Sequence, residues 1–285
     1  MKGSIIILMA CMALLAPSGY AQQTSVDQGN GYIQSLNQFL LHKNVENNSS
    51  LTSIEELITR LEKVRSRRSS DLAFLKAVFY KTHQRLLVKY DRLACMDETL
   101  ASGKYGCLTG TALYSIILEH FGFEHQIMEL PNHVYLQVMV GEKVVIFEST
   151  QPKEGFITEG YEVTERIEQY LTDARKSVLH RTIGDGLEDG EKLQTSLSKP
   201  IGNQQLAALQ YFNESVKNYN NSSFGEAADY AMSAYELYPN RKNEMLMQLV
   251  INKIMNQKKL KDELKNTYLN KYIQFIQKTK LSQTK

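Results

Sequence analysis

The sequence predicts an α+β fold, on three observations. Apolar residues recur at helical spacing between residues 54 and 90, and again beyond Gln205. Between those stretches lie three short segments of strand character, at 126–130, 134–140 and 143–148. The pair Gly141-Glu142 separates the last two and suits a two-residue hairpin turn with Gly in first place, so the sheet is expected to be small and antiparallel. With 285 residues, 42% of them hydrophobic, the chain can bury a real core and has room for one or two domains.

The elements follow in order along the chain. Lys2 precedes an apolar run over residues 5–16, too short for a membrane span of about 20 residues. Pro17 and Ser18 break the run, and Gly19-Tyr20-Ala21 offers small residues where a signal peptidase reads, so residues 1–21 are expected to be an export signal. Leu8-Met9-Ala10-Cys11 also has the form of a lipoprotein box. Against it, the apolar run continues past Cys11 and the segment before it is short. Residues 22–50 are polar, with a short helix or strand around 32–41. Thr52 with Glu55 and Ser53 with Glu56 form overlapping capping boxes, and Ile54, Leu57, Ile58, Leu61 and Val64 make the apolar stripe of a helix. A second helix is expected over 70–90, with Leu75, Val78, Phe79, Leu86 and Leu87 among its apolar positions. Lys63, Arg65, Arg67 and Arg68 read as a solvated face, with an anionic partner as the alternative. A Gly-punctuated loop over 102–106 then leads to Cys107, and the next helix buries Leu113, Ile116, Ile117 and Phe121 before Gly122 stops it. After the strands, residues 163–171 read as one more helix. Residues 176–202, with Gly184, Gly186, Gly190 and Pro200, read as a linker whose acidic pairs do not match a calcium loop.

Composition removes several function classes. The formal net charge is +2, from 33 basic and 31 acidic residues, which argues against a dedicated nucleic-acid binder. Three Cys are too few for a disulfide-built scaffold. No phosphate loop or dinucleotide fingerprint occurs, and no second long apolar run follows the first, so stable membrane insertion is not expected. His120 and His125 lack a Cys or carboxylate cluster to complete a metal site and read as structural.

The chemistry gathers around Cys107, His133 and Glu148. Cys107 stands at the expected start of a helix, where unpaired N–H groups and the helix dipole favour thiolate, the reactive form, and can stabilise an oxyanion. A two-residue turn at 141–142 makes Val140 face Lys143, Tyr135 face Glu148 and His133 face Thr150. His133 and Glu148 then become diagonal neighbours, roughly 7–8 Å apart at the backbone and closer at the side chains. Val134, Leu136, Val138, Val145 and Phe147 take the opposite, core-facing side, and a slip of one residue would destroy the separation. A Cys at a helix start with a His oriented by a carboxylate is the constellation of a thiol nucleophile and its base. The alternative for the two Cys beyond the leader is a structural Cys95–Cys107 disulfide, which would leave no nucleophile.

Gly106-Cys107, then a helix, then Asn132-His133-Val134 on one strand and Ile146-Phe147-Glu148-Ser149-Thr150 on the next, resembles the transglutaminase-like superfamily over about residues 70–155. The resemblance implies a papain-like core in which the Cys helix packs on a small antiparallel sheet. It also implies acyl transfer through a thioester, by hydrolysis or transamidation of an amide on a protein or peptide substrate. Cys107 would be the nucleophile, His133 the general base and acid, and Glu148 the orienting carboxylate, with no metal or organic cofactor. Two features differ from the family pattern. Glu148 stands where Asp is commoner, and without Trp the chain has no counterpart of the Trp that assists the oxyanion in some members. Some members are inactive, so the alternative is a catalytically inactive scaffold that binds a protein partner through its C-terminal helices.

Those helices begin near Gln205. Residues 208–241 resemble a single tetratricopeptide repeat: Phe224, Glu226, Ala227, Ala234, Leu237, Pro239 and Asn240 agree with its pattern, while Glu214 and Ser215 stand where Leu and Gly are usual. Residues 245–257 and 260–276 suit a degenerate second pair. One repeat cannot bury its own face, so it should stack on these helices or on the preceding domain. A plain helical cap on that domain is the alternative. Residues 241–285 hold 11 Lys or Arg against 3 Asp or Glu, read as a solvated face and tail, with attraction to an anionic surface as the alternative. The expected layout is thus a signal peptide over 1–21, a transglutaminase-like domain over 22–175, a linker over 176–202 and a helical module over 203–285, in a secreted or periplasmic protein.

Overall fold

The computed structural model describes residues 31–41, 48–67, 70–185 and 197–283. The expected signal segment, with its Cys11 alternative, lies outside the described residues, as does most of the acidic stretch at 185–190.

Helices α1 (Gly31–Asn37), α2 (Asn48–Arg65) and α3 (Asp71–Leu86) come first. Of the stripe expected in α2, Ile54, Leu57 and Leu61 are fully covered and Ile58 nearly so, while Val64 is partly buried against the same core. The helix begins a turn before the capping boxes because Leu51 extends the same stripe into the core. Helix α3 starts at the expected Ser70 cap but ends at Leu86, short of the expected 90. Lys89–Tyr90 leave it to form strand β1, which runs parallel to β2 (Lys104–Tyr105) across the short helix α4 (Met96–Ser102).

Helix α5 (Cys107–His120) follows and is buried on nearly every side. It closes with the N–H of Gly122 on the Glu119 carbonyl and that of Phe123 on Leu118, a Schellman motif made possible by the left-handed φ of 73° at Gly122. Strands β3 (His125–Leu130), β4 (His133–Val140), β5 (Lys143–Phe147) and β6 (Phe156–Ile157), helix α6 (Gly160–Asp185) and strand β7 (Lys199–Ile201) complete the first part. The five-stranded sheet has the order β6-β5-β4-β3-β7 with every pair antiparallel.

The hairpin register is the expected one, from Val140 facing Lys143 to Leu136 facing Phe147. Gly141 has a φ of 60° and Glu142 a negative φ, as a type II′ turn requires. Val134, Leu136, Val138, Val145 and Phe147 face the main core with α2, α3 and α5. The other face is covered too: Leu130, Tyr135, Ile146 and Ile157 pack under Val163 and Ala174 of α6. Helices thus lie on both sides of the sheet.

The segment 176–202 corrects the linker reading at both ends. Helix α6 runs on to Asp185, and Lys199–Ile201 add an edge strand to β3. Pro200 disguises that strand in the sequence, yet a proline is tolerated on an edge, where its missing N–H costs no ladder bond.

Helices α7 (Asn203–Asn220), α8 (Phe224–Leu237), α9 (Arg241–Met255) and α10 (Asp262–Gln283) form the C-terminal part. Ala227, Ala228, Ala231 and Ala234 are fully buried, and these small residues let α8 lie close to its neighbours. Helix α7 belongs to both parts. Its Leu206, Ala207, Ala208 and Leu209 complete the main core, while Phe212, Val216 and Tyr219 pack with α8 and α9. Buried Gln210 ties the joint: it accepts from the Met96 N–H at 2.8 Å and donates to the Phe39 carbonyl at 2.6 Å.

Candidate active site

Cys107 is the first residue of α5 and is partly exposed. The preceding Gly106 has no room for a side chain: a Cβ there would lie 2.9 Å from the Arg92 carbonyl oxygen. Chain 89–93 therefore runs directly against the start of α5, held by the Asp91 N–H on the Tyr105 carbonyl at 2.7 Å. Farther along the helix, Gly110 meets the turn beyond β5, where a Cβ would stand 2.6 Å from the Ser149 Cβ. This close approach brings the Cys helix up to the residue after Glu148.

His133 opens β4, paired with Leu130 across a tight turn. Its Nε2 lies 2.6 Å from Glu148 Oε2, and the ring interacts electrostatically with the Cys107 side chain. With Nε2 donating to Glu148, Nδ1 is the ring nitrogen left for the thiol. The sequence-predicted Cys107, His133 and Glu148 thus come together at one place, His133 bonded to Glu148 and lining the same cleft as Cys107. His133 keeps 24% of its side chain exposed, so a substrate can reach the ring, whereas Glu148 is 1% exposed.

The buried carboxylate is fully engaged. Oε1 accepts from the Thr150 N–H at 2.9 Å and from the Thr150 hydroxyl at 2.6 Å. Oε2 accepts from His133 and from the Tyr170 hydroxyl of α6. Burial alone would raise the Glu148 pKa, but the His133 hydrogen bond and cation, with the Thr150 and Tyr170 hydroxyls, bring it down to about 2. Burial likewise opposes the His133 cation, yet its hydrogen bonds and charge interactions with Cys107 and Glu148 carry it up to about 10. The pair is an imidazolium and a carboxylate at neutral pH.

Thr150 does not face His133 along a ladder as its register position predicts. Pairing ends at Leu136 with Phe147, after which the Glu148 N–H turns to the Gly155 carbonyl at 2.8 Å and the loop folds Thr150 back onto Glu148. Tyr170 is the site residue that sequence reasoning missed. Its signal was the helical stripe Val163, Ile167, Tyr170, Ala174, but nothing local says which sheet residue that stripe covers. In the structure its ring lies 5.5 Å from that of His133 and 4.6 Å from that of Tyr135.

Cys95 and Cys107 are both free thiols, so the disulfide alternative is not the arrangement found. Cys95 is buried beside α7, and burial together with the charges of Glu214, Glu98 and Asp97 pushes its thiol up to about 12. Cys95, Glu98 and Glu214 offer ligand-type atoms within 4.8 Å of one another. The Lys217 ammonium lies 3.0 Å from Glu98 and 3.6 Å from Glu214 and supplies the positive charge there. His125 is held by the Ser115 hydroxyl at 2.8 Å and the Phe123 carbonyl at 3.0 Å. His120 sits 3.4 Å from Glu62.

A cleft of about 210 Å³ opens over Cys107 and His133. Its lining comes from both parts of the chain, with Arg92 and Leu130 from the first and Leu209, Phe212 and Lys242 from the C-terminal helices. No family model, curated protein or solved structure matches the chain.

Proposed function

We propose that this chain is an exported transglutaminase-like protein that transfers acyl groups from a protein or peptide amide through a Cys107 thioester. The observation that carries the reading is a single imidazole hydrogen-bonded to a buried, fully engaged carboxylate and lining the same cleft as a thiol at a helix start. In fold terms, α5 and the antiparallel sheet would be the papain-like core, and α7–α10 the tetratricopeptide-like part.

The chemistry follows from these groups. The Cys107 proton rests on His133 as the imidazolium, and the sulfur lone pair attacks the amide carbon. The carbonyl electrons move onto oxygen, which the first-turn N–H groups of α5 are placed to meet, since they have no carbonyl partner within the helix. As the tetrahedral species collapses, the C–N bond breaks and His133 gives its proton to the departing nitrogen, leaving a thioester on Cys107. Water or an amine then attacks that carbonyl, His133 accepts its proton, and the C–S bond breaks with its electrons left on sulfur, restoring the thiolate beside the imidazolium. Glu148 stays ionised throughout. It holds Nε2–H and therefore keeps Nδ1 free to exchange the proton.

The reading includes export, which rests on residues 1–21; a mature chain isolated from its native cells should begin at Gln22. Acyl transfer itself is tested with p-nitrophenyl acetate, which needs no natural substrate. The full chain should release a burst of p-nitrophenolate equal to the protein present, with the acetyl group on Cys107 by mass spectrometry. Cys107→Ala should abolish the burst. Absence of a burst in the wild type, or acetylation at Cys95 instead, would overturn the reading.

A further inference from the structure

The cleft over Cys107 is smaller than the roughly 300–1,000 Å³ of drug-sized ligand sites and has room for one or two side chains of a substrate. Its charge is unbalanced. The carboxylate lining it, Glu129, is already engaged by the Lys199 ammonium at 3.4 Å and the Tyr238 hydroxyl at 2.8 Å. Beside the His133 imidazolium, which Glu148 balances, two further cations line it. Lys242 lies against the α7 wall, its ammonium 4.6 Å from the Phe212 ring centroid. Arg92 is exposed and makes no ion pair among the described residues. Its backbone is packed on Gly106, immediately before Cys107, and both Arg92 and Cys107 line the cleft.

Resting on the acyl-transfer reading, we propose that this cleft selects acyl donors bearing a carboxylate next to the reacting carbonyl, with Arg92 as the recognising group. A guanidinium offers a planar fork that fits a carboxylate in two parallel hydrogen bonds, and the apolar Leu209 and Phe212 wall accepts the aliphatic part of the same residue. The carboxylate belongs either to an acidic side chain or to the free C-terminus of a peptide. Arg92 is open to solvent, so the discrimination is set by an ion pair partly screened by salt.

The test uses the wild-type full chain and alkylation of Cys107 by iodoacetate and iodoacetamide, which differ in a carboxylate beside the reacting carbon. The iodoacetate-to-iodoacetamide rate ratio should fall about five-fold in Arg92→Gln, the scale of one exposed ion pair. It should hold in Lys89→Gln, an exposed cation outside the cleft. Because His133 is present in each protein, its attraction for iodoacetate cancels. Protection of Cys107 by acetyl-Gln-Glu-amide or by acetyl-Gln-Gln with a free C-terminus identifies the source of the carboxylate, with acetyl-Gln-Gln-amide protecting less than the preferred one. An unchanged ratio in Arg92→Gln, or equal protection by all three peptides, would overturn the proposal. The two readings fail separately: a thiol no faster than free cysteine sinks acyl transfer, while fast, His133-dependent alkylation with no effect of Arg92 sinks the carboxylate selection alone.

Discussion

Replacing Glu148 by Gln keeps the shape of the side chain and removes its charge. In the native chain that charge is 1% exposed and lies 2.6 Å from the His133 ring. The Gln amide can still accept from Thr150, but its NH₂ then faces the Nε2–H of His133, donor against donor. Breaking one side of a buried ion pair costs about 3–5 kcal/mol. Converting the fall of the Glu148 pKa from 4.5 to about 2 gives about 3 kcal/mol, of the same order. The rise of His133 reports the same ion pair from its other end and is not added to it. Because the Glu148 pKa is depressed, its contribution is present above about pH 4.5 and is lost as pH falls toward 2. Because the His133 pKa is raised, its contribution is complete below about pH 6.5 and is lost as pH rises through 10. Urea unfolding of wild type and Glu148→Gln should therefore differ by about 3 kcal/mol near pH 6, and by clearly less at pH 3. In the variant, the His133 ring followed by NMR should titrate toward the ordinary value of about 6.5. A difference under about 1 kcal/mol near pH 6, the scale of an exposed pair, with an unmoved His133 titration would refute this account of the pair.

Three further outcomes follow from neighbouring contacts. Tyr170→Phe removes one hydroxyl from a carboxylate that keeps its other donors, so unfolding should show a loss of about 1.5–3 kcal/mol while the burst from p-nitrophenyl acetate survives at a lower rate. Gly110→Ala places a Cβ 2.6 Å from Ser149, and calorimetry should show net destabilisation of about 1–3 kcal/mol despite the better helix propensity of alanine. Gln210→Leu leaves the Met96 N–H and the Phe39 carbonyl without their partner, and should cost about 2–5 kcal/mol in urea unfolding.

Much of the site was legible because it depends on local rules. A helix start at Cys107 follows from the glycine before it and the apolar stripe after it. The face shared by His133 and Glu148 follows from one turn, since a Gly141-Glu142 hairpin leaves a single register that puts the apolar set in the core. What escaped depends on packing between distant segments. Helix α6 covers the His133 and Glu148 face and supplies Tyr170, but its register on the sheet is a tertiary fact. Strand β7 is hidden by Pro200 and exists because β3 has a free edge. Residues 89–90 leave helix α3 because β2 offers them a parallel partner. The boundary near residue 203 is likewise invisible locally, since successive turns of α7 serve two different cores.

The central claim is that Cys107, His133 and Glu148 act as one unit, and the rate of Cys107 alkylation by iodoacetamide at pH 7 measures it most directly. Cys107 should label well ahead of free cysteine and of buried Cys95, at least ten-fold more slowly in His133→Ala and at a reduced rate in Glu148→Gln. Labelling at the same rate in all three proteins would contradict it.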